Sequence, residues 1–532
     1  MSTAPVPPRV DDEVQMHGQA LREAQAGNLS AAAVLLSEAC QRFPDNPRVQ
    51  GDLGAVLIAL GRHEEALAAL QAALALNPED PQAWHHHGLA LKGLGRSEQA
   101  LHSYARSLSL ADAVLTRCNR AVLLHELGRW NEALADLDQA LKLNPAHAPA
   151  HYNRGNTLQA QGRWQVALAA YDQALALQPD FAAAHSNRAD VLRELARLDE
   201  ALAGYQQALA RAPHQPDTRF NRALAWLLQG RYEEGFEAYE WRWQRDGRQR
   251  WQRHFTQPLW LGTQALAGQT VLLHAEQGLG DTVQFCRYVP LVQALGAEVV
   301  LEVPPSLMGL MAGLPGVHAL VAAGQALPPF DLHCPLGSLP HALRTTLHTV
   351  PAQVPYLSVP LPRRQRWARH FGEEGLRIGI CWQGQPGPVD AGRSFPLALF
   401  QRMAALPGVR LISLHKGAGE PQLTQLPPGM QVEVPPPDFD AEVQAAFLDT
   451  AAVMQHCHLV ITSDTAVAHL AGALGLPVWL VLKQVPDWRW LLHRQDSPWY
   501  PTMRLFRQPV AGDWNTPFAM MEAELLKRIE AP

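Results

Sequence analysis

The sequence predicts two unlike halves. An all-α array of helical hairpins runs to about residue 246, and an α/β region of two doubly wound domains follows. Three observations carry this. Small residues recur every 33 or 34 positions through the first half. From residue 270 onward, short apolar runs alternate with helical patterns. The chain has 532 residues, 47% hydrophobic and 18% charged, enough for three or four cores at ~150 residues each. The formal charge, 44 − 50 = −6, argues against a dedicated nucleic-acid binder. Six cysteines form no CxxC pair, so reduced thiols in a cytosol are a simpler reading than a disulfide scaffold or zinc ribbon. The N-terminus has no apolar stretch of secretory type. The most apolar long stretch, Leu459–Leu482, contains Asp464, His469 and Pro477, which argues against a membrane span.

The period comes from Gly27, Gly61, Gly95, Gly128, Gly162, Ala196 and Gly230. Five residues after each stands a second small residue: Ala32, Ala66, Ala100, Ala133, Ala167, Ala201 and Gly235. Pro44, Pro78, Pro145, Pro179 and Pro213 close most units, and the third unit lacks its proline and is one residue short. The first small residue lets one helix turn into the next. The second lets the two helices approach. The proline, with no N–H to donate, ends the pair. These spacings resemble the tetratricopeptide repeat, with seven units starting near 13, 47, 81, 114, 148, 182 and 216. The array then covers 13–246, after a disordered segment at 1–12. Such arrays form superhelices whose concave groove holds peptides and proteins.

Asn119, Asn153, Asn187 and Asn221 fall at one position of four consecutive units, each followed by Arg. In this repeat family that position lines the groove. A row of carboxamides can grip an extended peptide backbone without reading its side chains, and the O-GlcNAc transferases resemble this. The alternative is that the Asn-Arg pair stabilises its helix locally. Both readings stay open here. His85, His86 and His87 are adjacent on a helix and do not share a face, so they read as packed or solvated residues rather than metal ligands.

An aromatic, basic stretch follows at Tyr239–Trp260, with Trp241, Trp243, Trp251 and Trp260. It reads as a packed junction (247–267) rather than an RNA-stacking surface. Strands are predicted at 270–276, 297–303, 376–382, 409–415, 457–463 and 476–482, in two series separated by the proline-rich segment 351–363. Ligands in such folds bind at the carboxyl ends of the strands. Two motifs sit there. GLGD (278–281) makes a tight strand-to-helix turn, with Asp281 also placed to cap the helix. SDTAVAHLAGALGLPVW (463–479) ends a strand at Ser463, turns at Asp464 and Thr465, and starts a helix of small residues bearing His469. Helix starts of this kind bind phosphate.

The second motif resembles the D-[ST]-G-x-x-H-x-A-x-A-L-x-x-P signature of the heptosyltransferases, with Ala466 where that family has Gly. GLGD matches the same family's N-terminal loop. The resemblance covers about 265–510. It implies a GT-B glycosyltransferase with an N-terminal acceptor-side domain (268–360), a C-terminal nucleotide-sugar domain (361–530), and a last helix that crosses back to the first domain. It implies inversion at the sugar carbon, no essential metal, and no cofactor beyond the nucleotide-sugar co-substrate. Asp281 takes the place of the general base, with Glu276 at the strand end as second choice. Gln383, Arg393, Lys416, Asp464, Thr465, Ala466 and His469 are the expected donor-binding residues; Asn119, Asn153, Asn187 and Asn221 are those for a protein or peptide acceptor. With the repeats, the chain most resembles bacterial tetratricopeptide glycosyltransferases. No nucleic-acid partner and no membrane span are expected, and the location is cytoplasmic. The alternatives are a scaffold with a degenerate GT-B module and a transferase acting on glycan or lipid. PDWRWLL (486–492) and SPWYPTMRLFRQ (497–508) read as hinge packing or as a sugar-stacking platform. Asp438 and Asp440 read as a loop and helix start, not a metal-binding DxD.

Overall fold

The computed structural model describes residues 10–245, 247, 252–387, 392–442 and 447–530. Residues 1–9 of the segment expected to be disordered lie outside these, as does Trp251 of the aromatic stretch. The chain divides into two compact units, Met1–Leu192 with Gln206–Pro213, and Arg193–Tyr205 with His214–Pro532.

Among the described residues, seven helix pairs occupy the first half: α1 Val10–Gln25, α2 Leu29–Arg42, α3 Pro47–Ala59, α4 His63–Leu76, α5 Pro81–Gly93, α6 Ser97–Leu110, α7 Val114–Glu126, α8 Trp130–Leu143, α9 Ala148–Ala160, α10 Trp164–Leu177, α11 Ala182–Glu194, α12 Leu198–Arg211, α13 Pro216–Leu228 and α14 Tyr232–Tyr239. Six of the seven expected starts coincide with the first helix of a pair. The first pair begins earlier, at Val10. All six turn glycines are left-handed, with φ between +71° and +82°. After Gly61, Arg62 N–H donates to Leu57 O five residues back, which closes the helix end. Ala32, Ala66, Ala100, Ala133, Ala167 and Ala201 are fully buried. A further small position faces each of three large side chains. A Cβ on Gly54 would lie 2.4 Å from Leu70, on Gly88 2.6 Å from Tyr104, and on Gly155 2.6 Å from Tyr171. Proline starts several first helices, and Asn46 and Asp80 cap the N–H groups that follow Pro47 and Pro81.

Among the described residues, nine strands form two parallel sheets: β1 Thr270–His274, β2 Glu298–Val303, β3 Val317–Ala322 and β4 Leu332–Pro335 in one, β5 Leu376–Cys381, β6 Val409–Ser413, β7 Leu459–Ser463, β8 Val478–Leu482 and β9 Met503–Arg507 in the other. Their orders are β3-β2-β1-β4 and β6-β5-β7-β8-β9. Strands β3, β4 and β9 were not expected from the sequence. The direction of winding reverses between β1 and β4, and again between β5 and β7. The crevices outside those strand ends are where doubly wound sheets take ligands. The helices used below are α15 Leu279–Phe285, after β1, α16 Leu361–Phe371, between the sheets, α17 Ala466–Ala473, after β7, and α18 Asn515–Glu530. The last helix does not cross back to the first sheet. Phe518, Met521 and Leu525 of α18 join the core built on Ile378, Phe400 and Trp479 of the second, because its apolar stripe has its match there. No helix among the described residues is long and apolar enough to cross a membrane.

Ala196 holds the turn position that is glycine in every other pair, at φ +59°. A Cβ in that region costs about 1 kcal/mol. Ala196→Gly is therefore expected to raise the thermal midpoint by a degree or two, roughly what ~0.5–1 kcal/mol gives for a unit of this size. Circular dichroism melting checks it, and an unchanged or lower midpoint contradicts it.

Candidate functional site

The two loops singled out in the sequence meet. Gly278, not Asp281, N-caps α15; Asp281 stands at the third helical position, and its Oδ2 accepts the Gly278 N–H at 3.0 Å, the reciprocal bond of a capping box. Its other oxygen, Oδ1, accepts from Arg489 Nη2 at 2.5 Å. Gly280, between them, lies against the start of α17. A Cβ there would sit 3.0 Å from the His469 ring and 3.3 Å from Ala466 Cα. Glycine at 280 and alanine at 466 together allow this close crossing.

Two Trp-Arg-Trp sequences, each on a 3₁₀ turn, hold the first loop. Arg242 (Glu240–Gln244 turn) donates to Glu276 Oε1 at 3.2 Å, Glu240 Oε1 at 2.6 Å and Ser338 Oγ at 2.7 Å. Arg489 (Trp488–Trp490 turn) bonds Asp281, Gln284 Oε1, and Asp487 Oδ1 at 2.8 Å. Both guanidiniums are buried. Glu276 also accepts the Gly337 N–H at 3.1 Å, which ties the loop after β1 to the loop after β4 across the first crevice. Burial pushes the Glu276 carboxyl up to about 7, against the pull of Arg242. Burial raises Asp281 too, opposed by Arg489 and assisted by Asp487. Sequence reasoning missed Arg242, Asp487, Arg489 and Trp490 as site residues. The repeated WRW was the signal that could have found them.

At the second crevice Asp464 is buried, and its carboxyl is raised to about 6 by burial and by Asp487, against Arg393 and Arg489. Thr465 N-caps α17 with an extended backbone, and its hydroxyl donates to Ser463 O at 3.4 Å. His469 is buried one turn into α17, stacks on Trp490 at 5.4 Å, and shares a 2.9 Å hydrogen bond between Nδ1 and the Tyr500 hydroxyl. Burial and the charges of Arg489, Arg287 and Arg393 hold its pKa well down, so it is a neutral imidazole. Among the described residues, three buried polar atoms here have no hydrogen-bond partner, Ser463 Oγ, Gln284 Nε2 and Arg393 Nε, while the Trp490 N–H interacts with the Asp464 carboxyl and lowers its pKa. Buried polar groups are rarely left so, and a polar ligand would satisfy them.

Other expected residues lie elsewhere. Lys416 Nζ donates to Phe439 O at 2.8 Å and Asp440 O at 3.0 Å, securing a loop, because its long side chain turns away from the strand end. Gln383 Oε1 accepts from Gln422 at 3.1 Å. Asp440 accepts the Asp449 N–H at 2.9 Å ahead of a helix, and Asp438 pairs with Arg366 of α16. In the repeats, Asn119 Nδ2 lies 3.4 Å from His85 Nε2, and Asn187 Nδ2 donates to Asn156 Oδ1 at 2.8 Å and Tyr152 OH at 3.1 Å. Asn153 and Asn221 are half-buried. The following arginines pair with acids, Arg120 with Asp136, Arg154 with Asp138 and Arg188 with Asp172. These bonds favour a repeat-to-repeat structural role for Asn119 and Asn187. His85 and His87 share hydrogen bonds with Thr116 and Ser103, and burial lowers all three histidine pKa values. The tail aromatics Trp488, Trp490, Trp499 and Tyr500 are buried, which is the packing reading.

Tetratricopeptide-repeat family models match residues 23–89, 81–113 and 123–162, and 152–216 with 187–245. The N-terminal half carries tetratricopeptide repeats. That scaffold supports a protein-interaction role with peptide or protein partners. Protein FlbA of Caulobacter vibrioides is 30% identical over 309 residues, 54% of this chain and 51% of FlbA, so the chain spans about half the length of that curated relative. A tetratricopeptide repeat protein from Parabacteroides merdae is 18% identical, over 43% of this chain and 91% of its own, with a TM-score of 0.37. A thermophilic repeat protein of Thermus thermophilus is 32% identical, over 34% and 99%, with a TM-score of 0.30.

Glu276 binds its proton more tightly in the folded chain than in the unfolded one. Its contribution to stability is therefore full at pH below the ordinary carboxylate range and is lost as pH rises through about 7. In urea unfolding at pH 5 and pH 8, Glu276→Gln is expected to shrink the difference between the two stabilities. An unchanged difference contradicts the assignment.

Proposed function

We propose that the chain is an inverting glycosyltransferase of GT-B architecture, moving a sugar from a nucleotide-sugar donor to a protein acceptor recruited by the repeats. The observation that carries this is the meeting of both crevices at Gly280 and Ala466, beside the unpaired buried Ser463 Oγ, Gln284 Nε2 and Arg393 Nε. The order β6-β5-β7-β8-β9 is a doubly wound order that takes nucleotides at its reversal point, and Ser463–Asp464 is at that point.

In this reading the acceptor hydroxyl oxygen attacks the anomeric carbon from the face opposite the diphosphate. The bond from that carbon to the phosphate oxygen breaks, and its electron pair leaves with the diphosphate. Asp281 takes the hydroxyl proton. The Ala468 N–H is taken by Thr465 O; the N–H groups of Ala466 and Val467 at the start of α17 are in this reading what meets the leaving diphosphate, with Arg393. Asp464 and Ser463 offer their side-chain oxygens to hydroxyls of the donor. His469 contributes through packing and the Tyr500 bond rather than as a cation. Lys416 has no part in this arrangement. The resemblance on which the reading rests implies a metal-independent reaction.

A thermal-shift screen with UDP, ADP, GDP and CMP tests the donor site. One nucleotide is expected to raise the midpoint in proportion to its affinity and concentration, and Asp464→Asn or Arg393→Ala to reduce that rise. No shift with any of the four would return the chain to a scaffold. With the donor so identified, Asp281→Asn should lower transfer by ~10²–10⁴-fold, the usual worth of a general base, while nucleotide binding persists. Because an Asn side-chain oxygen can still accept the Gly278 N–H, activity within a few-fold of the parent would leave Asp281 with its helix-start bond alone.

A further inference from the structure

The first sheet buries three polar side chains on one face. His274 ends β1, Glu302 is its register partner on β2, and His333 of β4 pairs with Leu272. Alternation along each strand puts them on the face of Leu272 and Val300, over which Phe255 and Phe330 pack. His274 is 2% exposed and Glu302 1%. Burying such groups is unfavourable unless they are hydrogen-bonded, and these are only partly so. His274 Nε2 lies 3.3 Å from His333 Nδ1, and Glu302 Oε2 accepts from Arg253. His274 Nδ1 and Glu302 Oε1 have no partner. Beside them opens a cavity of about 300 Å³, lined by Trp243, Arg253, Phe255, Gln257, His274 and His333 among others.

We propose that this cavity binds a neutral saccharide ring. Its volume is that of about ten waters, which accommodates one hexose unit. Trp243 and Phe255 line the cavity with rings that each carry a guanidinium on one face, Arg242 at 4.5 Å and Arg253 at 4.8 Å, leaving apolar ring surface for the C–H groups of a sugar, and the planar polar groups of His274, His333, Gln257 and Arg253 offer donors and acceptors to hydroxyls. The charge balance favours a neutral ligand. Arg253 is already paired with Glu302, and both histidines are held neutral by burial and by Arg253. Among the described lining residues, the guanidinium an anion would meet is that of Arg253, whose charge Glu302 already balances. The site does not rest on the transfer reading, since it uses none of the residues assigned to the donor or to proton transfer.

Ligand-observed NMR on the full chain tests it, with methyl glycosides of glucose, galactose, mannose and N-acetylglucosamine, and with sodium phosphate as the anion probe. At least one glycoside is expected to bind with millimolar affinity. Gln257→Ala and Phe255→Ala should each weaken it several-fold, while Asp464→Asn leaves it unchanged and so separates this cavity from the proposed donor site. Gln257 is half-buried at the cavity edge, so that variant stays informative if Phe255→Ala misfolds. Binding by none of the four glycosides overturns the proposal. So does glycoside binding that survives Gln257→Ala, or that phosphate displaces.

Discussion

A buried guanidinium keeps the two sheets in one arrangement. Arg489 leaves the second sheet's side and bonds Asp281 and Gln284 on the first sheet's helix, with Asp487 on its own turn and Trp488 stacked 4.4 Å below. Removing such a charge from water costs several kcal/mol unless partners replace the solvent. Here they come from both sheets. Sliding one sheet past the other would strand the charge, so the geometry is enforced by the penalty of breaking it rather than by the attraction itself. Arg287 reinforces this from the turn after α15, donating to Trp499 O at 2.6 Å and to Tyr356 OH at 2.8 Å.

The same arginines set the electrostatics of the crevice. Arg489, Arg287 and Arg393 all oppose a charge on His469, so the positive potential there is carried by groups that do not titrate. Asp464 and Glu276 move the other way, toward neutrality, because burial outweighs the arginines near them. In the proposed reading an anionic ligand would meet cations that are fixed and acids that are reluctant to ionise. That balance suits a diphosphate better than an inventory of two aspartates and a glutamate suggests.

Much of the fold was legible because it is periodic. The left-handed turn position needs a small residue, and the close helix pairs need another, so the repeat printed itself at fixed spacing, Ala196 included. Strands with apolar runs were legible for the same kind of reason. β3 begins with an exposed histidine in VHALVA, β4 is only LHCP and ends in proline, and β9 has arginines at MRLFR; none presents the uninterrupted run that marks a buried strand. The site was half legible. A loop's position after a strand places its backbone at the crevice, which is why Asp281, Glu276, Asp464 and His469 converge. It does not give side-chain direction, and Lys416 and Gln383 point to other partners. Arg242 and Arg489 were hidden because a buried arginine reads in sequence as a surface one until its carboxylates are known.

The two carboxylates of the first loop show why proximity to a crevice does not assign a role. Glu276 has its pKa raised to about 7, but its side chain is only 4% exposed and its oxygens are taken by Gly337 N–H, Arg242 and Gln277. The burial that raises its pKa also seals it from a substrate. Asp281 is 27% exposed at the side chain. Its partner Arg489 is shared with Asp487, so the cation does not fully depress it, and its pKa still lies above the ordinary value. A general base must both reach a hydroxyl and want its proton. Asp281 meets both conditions in part, whereas Glu276 meets only the second and instead fastens the loop after β1 to that after β4. The division lies in how far each WRW turn covers its carboxylate, since Arg242 is shared by Glu240 and Glu276 just as Arg489 is shared by Asp281 and Asp487.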